Sequence, residues 1–143
     1  GVEYLTLHAT GGVDMLRAGV EGLVDGAHHA GLPTPTALAV TVLTRAASAP
    51  PHIGPNRVRL ALEGGCGGLI LAAEDLQTAR ELAPRLKRVV PGIRLPGDPH
   101  HDQTRTASPQ DAAANGADLL IIGRTVTSAS DPLAAAAAVA SAI

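Results

Sequence analysis

Apolar residues along this chain switch between two spacings. Residues 4–8 (YLTLH) alternate in a run of strand formers, and Gly11-Gly12 then punctuates the chain before a helical stretch. There Met15, Leu16, Gly19, Val20, Leu23 and Val24 recur at helical spacing, which predicts an amphipathic helix with these residues inward and Gly31-Leu32-Pro33 as its end. Residues 36–43 (TALAVTVL) read as a buried strand, followed by a Ser/Pro-rich loop over 45–55 and a short helix from about Asn56, a good N-cap, to Glu63. A third strand over 68–72 (GLILA) leads into a helix over 75–86 with Leu76, Ala79, Leu82, Ala83 and Leu86 inward. Arg88-Val89-Val90 is a short fourth strand stopped by Pro91-Gly92. The polar loop that follows, 93–108, exceeds ordinary connection lengths, and such loops inside compact domains are usually functional or mobile. A brief helix over 109–115 begins with Pro, a fifth strand over 117–122 (ADLLII) exits at Gly123-Arg124, and Asp131-Pro132 opens an alanine-rich helix through Ile143.

Five β–α pairs in strict alternation predict an α/β fold of parallel strands with helical crossovers. The sheet is then either open and doubly wound or closed into a barrel. No G-x-G-x-x-G follows the first strand, since Ala9-Thr10-Gly11-Gly12 is only a glycine pair. Instead His8, Thr44, Arg94 and Arg124 each stand just after a strand, the distribution of a barrel whose site is assembled from strand exits. The expected architecture is a single partial (β/α)8 TIM-type barrel domain over residues 1–143, about five of eight β–α units, with two exposed parallel edges that need covering.

Composition narrows the function classes. No run approaches the roughly 20 apolar residues that span a bilayer, and Gly1-Val2-Glu3-Tyr4 lacks the basic-then-apolar order of a signal peptide, so neither a membrane nor a secreted protein is expected. The single Cys66 has no internal disulfide partner and fits a reducing compartment as an inert core residue, which makes the cytoplasm the expected location. Lys plus Arg number 11 against 13 Asp plus Glu, with one aromatic residue, Tyr4, so neither phosphate tracking nor base stacking on nucleic acid is supported. Lys87 is the only lysine, and a mechanism that needs an active-site lysine must use it or look outside these residues.

Gly123-Arg124 is the strongest local chemical signal. Glycine lets backbone amides approach an oxyanion, arginine offers a bidentate fork, and late β–α loops of barrels commonly bind phosphate. Pro91-Gly92-Ile93-Arg94 places a second guanidinium after the preceding strand, and two arginines on adjacent strand exits favour a dianion. Asp102-Gln103 could close over such a ligand with an amide donor, or Gln103 could be a solvated loop side chain. Thr44 offers a hydroxyl to a ligand carbonyl or amide, or caps the next turn, with Arg45 facing solvent. His8 is either a proton donor or a hydrogen-bonded structural histidine. His100-His101-Asp102 invites a metal reading, but adjacent histidines on a loop are more often solvated than ligating. No nucleophile with an adjacent base and no paired carboxylates at strand exits stand out. These residues describe a binder of phosphate esters.

The same segments carry a resemblance. Leu7-His8-Ala9-Thr10-Gly11-Gly12, Ala39-Val40-Thr41-Val42-Leu43-Thr44, Pro91-Gly92-Ile93-Arg94, Asp102-Gln103-x-Arg105, and Gly123-Arg124-x-Val126-Thr127 through Asp131-Pro132 resemble orotidine 5′-phosphate decarboxylase in order and spacing. The match runs over essentially the whole chain and corresponds to the C-terminal part of that family's barrel, from its fourth strand to its end. The resemblance implies that Thr44 contacts the pyrimidine ring, while Arg94, Gln103, Gly123 and Arg124 hold the 5′-phosphate. It also implies a carboxy-lyase of pyrimidine synthesis that converts orotidine 5′-monophosphate to uridine 5′-monophosphate, without metal or organic cofactor, as a homodimer.

Departures from the family pattern matter as much. The family's Asp-x-Lys-x-x-Asp array, whose lysine protonates carbon 6 as carbon dioxide leaves, is absent. Lys87 lies before the fourth strand, at the end opposite the expected site. The loop after Thr44 is several residues shorter than usual, and Arg45 replaces a common serine. The chain is therefore expected to be part of a full decarboxylase lacking the first three β–α units, which the start at Gly1-Val2, without Met and directly ahead of a strand, favours. Two other readings stand beside it: a non-catalytic partial barrel that binds a nucleotide monophosphate or a partner chain and dimerises through its edges, and a relative acting on another phosphorylated sugar or nucleotide. The Thr44 and Gln103 matches favour a nucleotide over a plain sugar phosphate.

Overall fold

The structure is a computed structural model, and it describes residues 1–46, 49–98 and 102–143. Five parallel strands, β1 (Tyr4–His8), β2 (Thr36–Val40), β3 (Gly68–Ile70), β4 (Lys87–Val90) and β5 (Leu119–Leu120), form one sheet in the order β1-β2-β3-β4-β5. Sequential order decides between the two expected architectures: a doubly wound sheet reverses its strand order at a switch point, and this one never does. The sheet also curls. Lys87 Nζ at the start of β4 reaches Tyr4 Oη at the start of β1, 2.9 Å away, although two strands separate them in the sheet. This is the curvature of a barrel wall, and the five-unit partial barrel expected from the sequence is what the chain forms.

Helices α1 (Gly12–Ala30), α2 (Ile53–Glu63) and α3 (Leu76–Leu82) follow the first three strands and pack side by side, α1 on α2 and α2 on α3. The main core lies between these helices and the sheet, with Leu16, Leu69, Leu71, Leu76, Val90 and Ile93 almost wholly buried. A smaller cluster, Leu38, Val40, Ile70 and Val89 with Tyr4 against it, lies on the opposite, concave face of the sheet. Gly68 allows the close strand approach there, since a Cβ at that position would stand 2.8 Å from the Lys87 carbonyl oxygen.

Several expected boundaries shift for physical reasons. The inward face of α1 is Leu16, Gly19, Val20, Leu23 and Ala27, while Met15 and Val24 face outward, because the buried stripe follows the 16, 20, 23, 27 spacing. Helix α2 begins at Ile53 and not at Asn56; Pro55 falls in its first turn, where no intrahelical N–H is needed. Helix α3 stops at Leu82 because Pro84 drives Ala83 out of the helical region, to φ −142° and ψ 63°. The regular part of β5 is only two residues, yet Asp118 N donates to Arg88 O (2.8 Å) and Ile121 N to Val90 O (2.9 Å), so pairing extends along most of the expected strand. Two short helices, α4 (Pro109–Ala114) and α5 (Arg124–Thr127), precede the last, α6 (Pro132–Ser141). Ser108 and Asp131 cap α4 and α6 by accepting from Asp111 N and Ala134 N, each at 3.0 Å. Among these, α5 has no counterpart in the sequence reading, where Gly123-Arg124 is only a strand exit.

Candidate functional site at the strand exits

Every strand of a parallel sheet ends at the same rim, and here the polar residues collect at that rim. Thr44 follows β2, Arg94 follows β4, and Gly123-Arg124 follows β5. The long segment after β4 does not hang free. Ile93 and Ala107 form a parallel bridge, Arg94 N donates to Ala107 O (3.0 Å), and Thr104 N and Arg105 N both donate to Thr44 O (3.1 and 3.0 Å). Residues 102–107 therefore form an arm laid across the exits of β2 and β4.

Gly92 makes that crossing possible. Its φ of +77° is a left-handed conformation, and a Cβ there would lie 3.0 Å from Arg105 O and 3.5 Å from the Thr44 side chain.

All five site residues expected from the sequence, Thr44, Arg94, Gln103, Gly123 and Arg124, line one cavity of about 170 Å³, with Pro91, Gly92 and Ile121 completing its wall. Its volume is below the roughly 300–1,000 Å³ of pockets that enclose a drug-sized ligand, so it suits the grip on one end of a ligand. Arg94 is buried, and its Nη1 donates to Ile93 O (2.7 Å). Arg124 Nη2 donates to Asp102 Oδ1, and Thr44 Oγ1 donates to Gln103 Oε1. The bond from Arg124, with help from the backbone N–H of Asp102 itself, holds the Asp102 carboxyl below the ordinary carboxylate range. Gln103 is thus a partner of Thr44 and not a solvated side chain, while Arg45 is exposed as expected.

Other expectations resolve differently. His8 ends β1 but lines a neighbouring cavity of about 430 Å³ with Thr10, Thr41 and Arg57, away from the two arginines. Of the suggested metal ligands, His100 and His101 lie outside the described residues and Asp102 is paired with Arg124; among the described residues no group of three or more His, Cys, Asp or Glu is placed to hold a metal. Cys66 is 4% exposed, and burial pushes its thiol pKa up, which keeps it in the unreactive thiol form. Lys87 sits at the opposite end of the sheet, and its bond to Tyr4 raises its pKa.

Sequence reasoning assigned Arg105 no role beyond its place in the Asp102-Gln103-x-Arg105 pattern. Its Nε donates to Glu74 and its Nη2 to Asp75 Oδ2 (2.6 Å), the two acidic residues of the 3-10 turn after β3. Burial acts to lower the Arg105 pKa, and the bonds to Asp75 and Glu74 more than offset it.

The curled sequential sheet and a site assembled from three strand exits define the class: a (β/α)-barrel protein with an arginine-lined rim. Within that class the chain belongs to the orotidine 5′-phosphate decarboxylase / HUMPS family, whose model matches residues 1–139. An orotidine 5′-phosphate decarboxylase of Thermobifida fusca is 43% identical over 148 aligned positions, which take in 96% of this chain and 60% of that protein. One from Moorella thermoacetica is 36% identical over 100% of this chain and 62% of its own length. Among solved structures, orotidine 5′-phosphate decarboxylase from Lactobacillus acidophilus superposes with a TM-score of 0.78 at 29% identity, covering 99% of this chain and 63% of that one. Orotidine 5′-monophosphate decarboxylase from Sulfolobus solfataricus, at 19% identity and a TM-score of 0.71, shares the fold. The chain spans about three-fifths of the length of the relatives it matches.

Proposed function

We propose that this chain supplies the phosphate- and pyrimidine-binding part of an orotidine 5′-phosphate decarboxylase, a carboxy-lyase that releases carbon dioxide from orotidine 5′-monophosphate to leave uridine 5′-monophosphate. The observation that carries the proposal is the convergence of Arg94 and Arg124, from adjacent strand exits, on one small cavity with Gly123, Gln103 and Thr44. Two guanidiniums and a glycine suit the 5′-phosphate dianion, since charge-assisted bonds from arginine are the stronger ones and glycine leaves its amide accessible. Thr44, which follows β2 and is bonded to Gln103, is the group for the pyrimidine ring. The same reading makes the protein a homodimer in the cytoplasm, and the single buried Cys66 is in keeping with a reducing compartment.

Carbon 6 of the ring needs a proton once carbon dioxide has left. Lys87, the only lysine, cannot bring one, because its Nζ lies 2.9 Å from Tyr4 Oη at the end of the sheet away from the arginines. These residues hold no other lysine to donate that proton, so on this reading the chain's share of the reaction is to bind and orient.

A calorimetric titration with uridine 5′-monophosphate tests the reading. The nucleotide binds, and Arg124→Ala costs about 2–3 kcal/mol of that affinity, the size of a lost charge-assisted contact. Equal affinity in the variant would remove the phosphate assignment.

A further inference from the structure

We propose that Arg105 is a positioning residue for the ligand grip: its hold on Glu74 and Asp75 fixes the arm that presents Gln103 to the cavity. The inference rests on the proposed nucleotide site and adds a residue that lies outside it.

Arg105 is placed like an anchor. Its side chain is 10% exposed although it belongs to a loop, and two of its in-plane donors, Nε and Nη2, go to two different carboxylates, those of Glu74 and Asp75. At the same residue the backbone N–H donates to Thr44 O (3.0 Å), beside the bond from Thr104 N (3.1 Å) and a third from Thr104 Oγ1 to Arg45 O (3.0 Å). One residue thus ties the arm to the exit of β2 through its backbone and to the exit of β3 through its side chain. Gln103 stands immediately before this double tie, with its amide oxygen on Thr44 Oγ1. Only one residue separates Gln103 from the anchor, so the place of its amide follows from where Arg105 is held.

Arg105 itself lines a different cavity, about 300 Å³, with Glu74, Asp75, Thr78 and Thr41, and is not part of the wall shared by Arg94 and Arg124. It acts through Gln103 and not by touching phosphate. Lysine would not replace it, because a point charge lacks the planar fork that serves two carboxylates at once.

A double-mutant cycle separates positioning from bulk stability. Uridine 5′-monophosphate affinity is measured for the protein, Arg105→Ala, Gln103→Ala and the double variant, with thermal melts alongside. Arg105→Ala is expected to weaken binding about tenfold, and to weaken it less than about twofold further once Gln103 is already alanine, the signature of coupled residues. Independent losses that multiply, or no loss at Arg105, would overturn the proposal. If Arg105→Ala does not fold, Glu74→Gln combined with Asp75→Asn removes the same anchor with shape retained; it should reproduce the loss, and full affinity would overturn the proposal. Arg124→Ala is titrated in parallel: an unaffected Arg124→Ala removes the nucleotide site itself, whereas a weakened Arg124→Ala with a neutral Arg105→Ala removes only the positioning role.

Discussion

Asp102 and Arg124 form an ion pair at the mouth of the cavity, with side chains 58% and 40% exposed. The pair lowers the Asp102 pKa from its ordinary 3.8. A depressed carboxylate pKa means that the pair contributes fully above the ordinary aspartate range and is lost as pH falls through the lowered value. In a carbon-detected NMR titration the Asp102 carboxyl should therefore have a midpoint below 3.8, moving back toward it in Arg124→Ala. A midpoint indifferent to Arg124 would mean that the two side chains do not hold each other in solution. At this scale the site was largely legible: Thr44, Arg94, Gly123 and Arg124 each follow a strand, and strand exits of a parallel sheet share one rim. Gln103 was open between an amide donor and a solvated loop side chain until the family motif favoured the first. Arg105 with Glu74 and Asp75 was not, because ion pairs 31 and 30 residues apart leave no local spacing to read.

Elements position these residues by crossing. The arm over 102–107 passes the Pro91-Gly92 turn so closely that a Cβ on Gly92 would stand 3.0 Å from Arg105 O, and Gly92 takes a conformation that L side chains avoid. Gly92→Ala should therefore destabilise the protein by about 1–2 kcal/mol, the usual cost of a side chain in the left-handed region, and shift the resonances of Thr44 and Arg105. Chemical denaturation monitored by circular dichroism gives the first quantity. An unchanged midpoint would contradict the close crossing. Element type was well announced by sequence, since the period-2 and helical runs are bounded by glycine and proline. Element ends were less so. Nothing local says that Asn56 lies inside α2, or that Met15 and Val24 face outward; tertiary burial of Leu16, Val20 and Ala27 sets that face.

At the scale of the molecule, β1 and β5 each pair on one side only among the described residues. Leu119 in β5 and Ile121 just after it are 39% and 45% exposed, and an apolar cavity of about 540 Å³ opens between β5 and α6. Hydrogen exchange should accordingly be slowest in β2, β3 and β4, whose amides and carbonyls are paired on both sides, and faster in the edge strands. Equal protection across all five would show that another element covers the edges in solution. With the single lysine held by Tyr4, the proposed function leads to a further expectation: an assay of these 143 residues with orotidine 5′-monophosphate should show binding and no release of carbon dioxide, and turnover would contradict it. The barrel class was legible from strict β–α alternation and the polar strand exits, but the sequential strand order that proves it is a property of the assembled sheet. The central claim, that the two strand-exit arginines hold a nucleotide phosphate, is tested most directly by a crystal structure with uridine 5′-monophosphate. The phosphorus is expected between the Arg94 and Arg124 guanidiniums, with Gly123 N in hydrogen-bonding reach and the ring toward Thr44. A nucleotide bound elsewhere, with these two arginines not touching its phosphate, would contradict it.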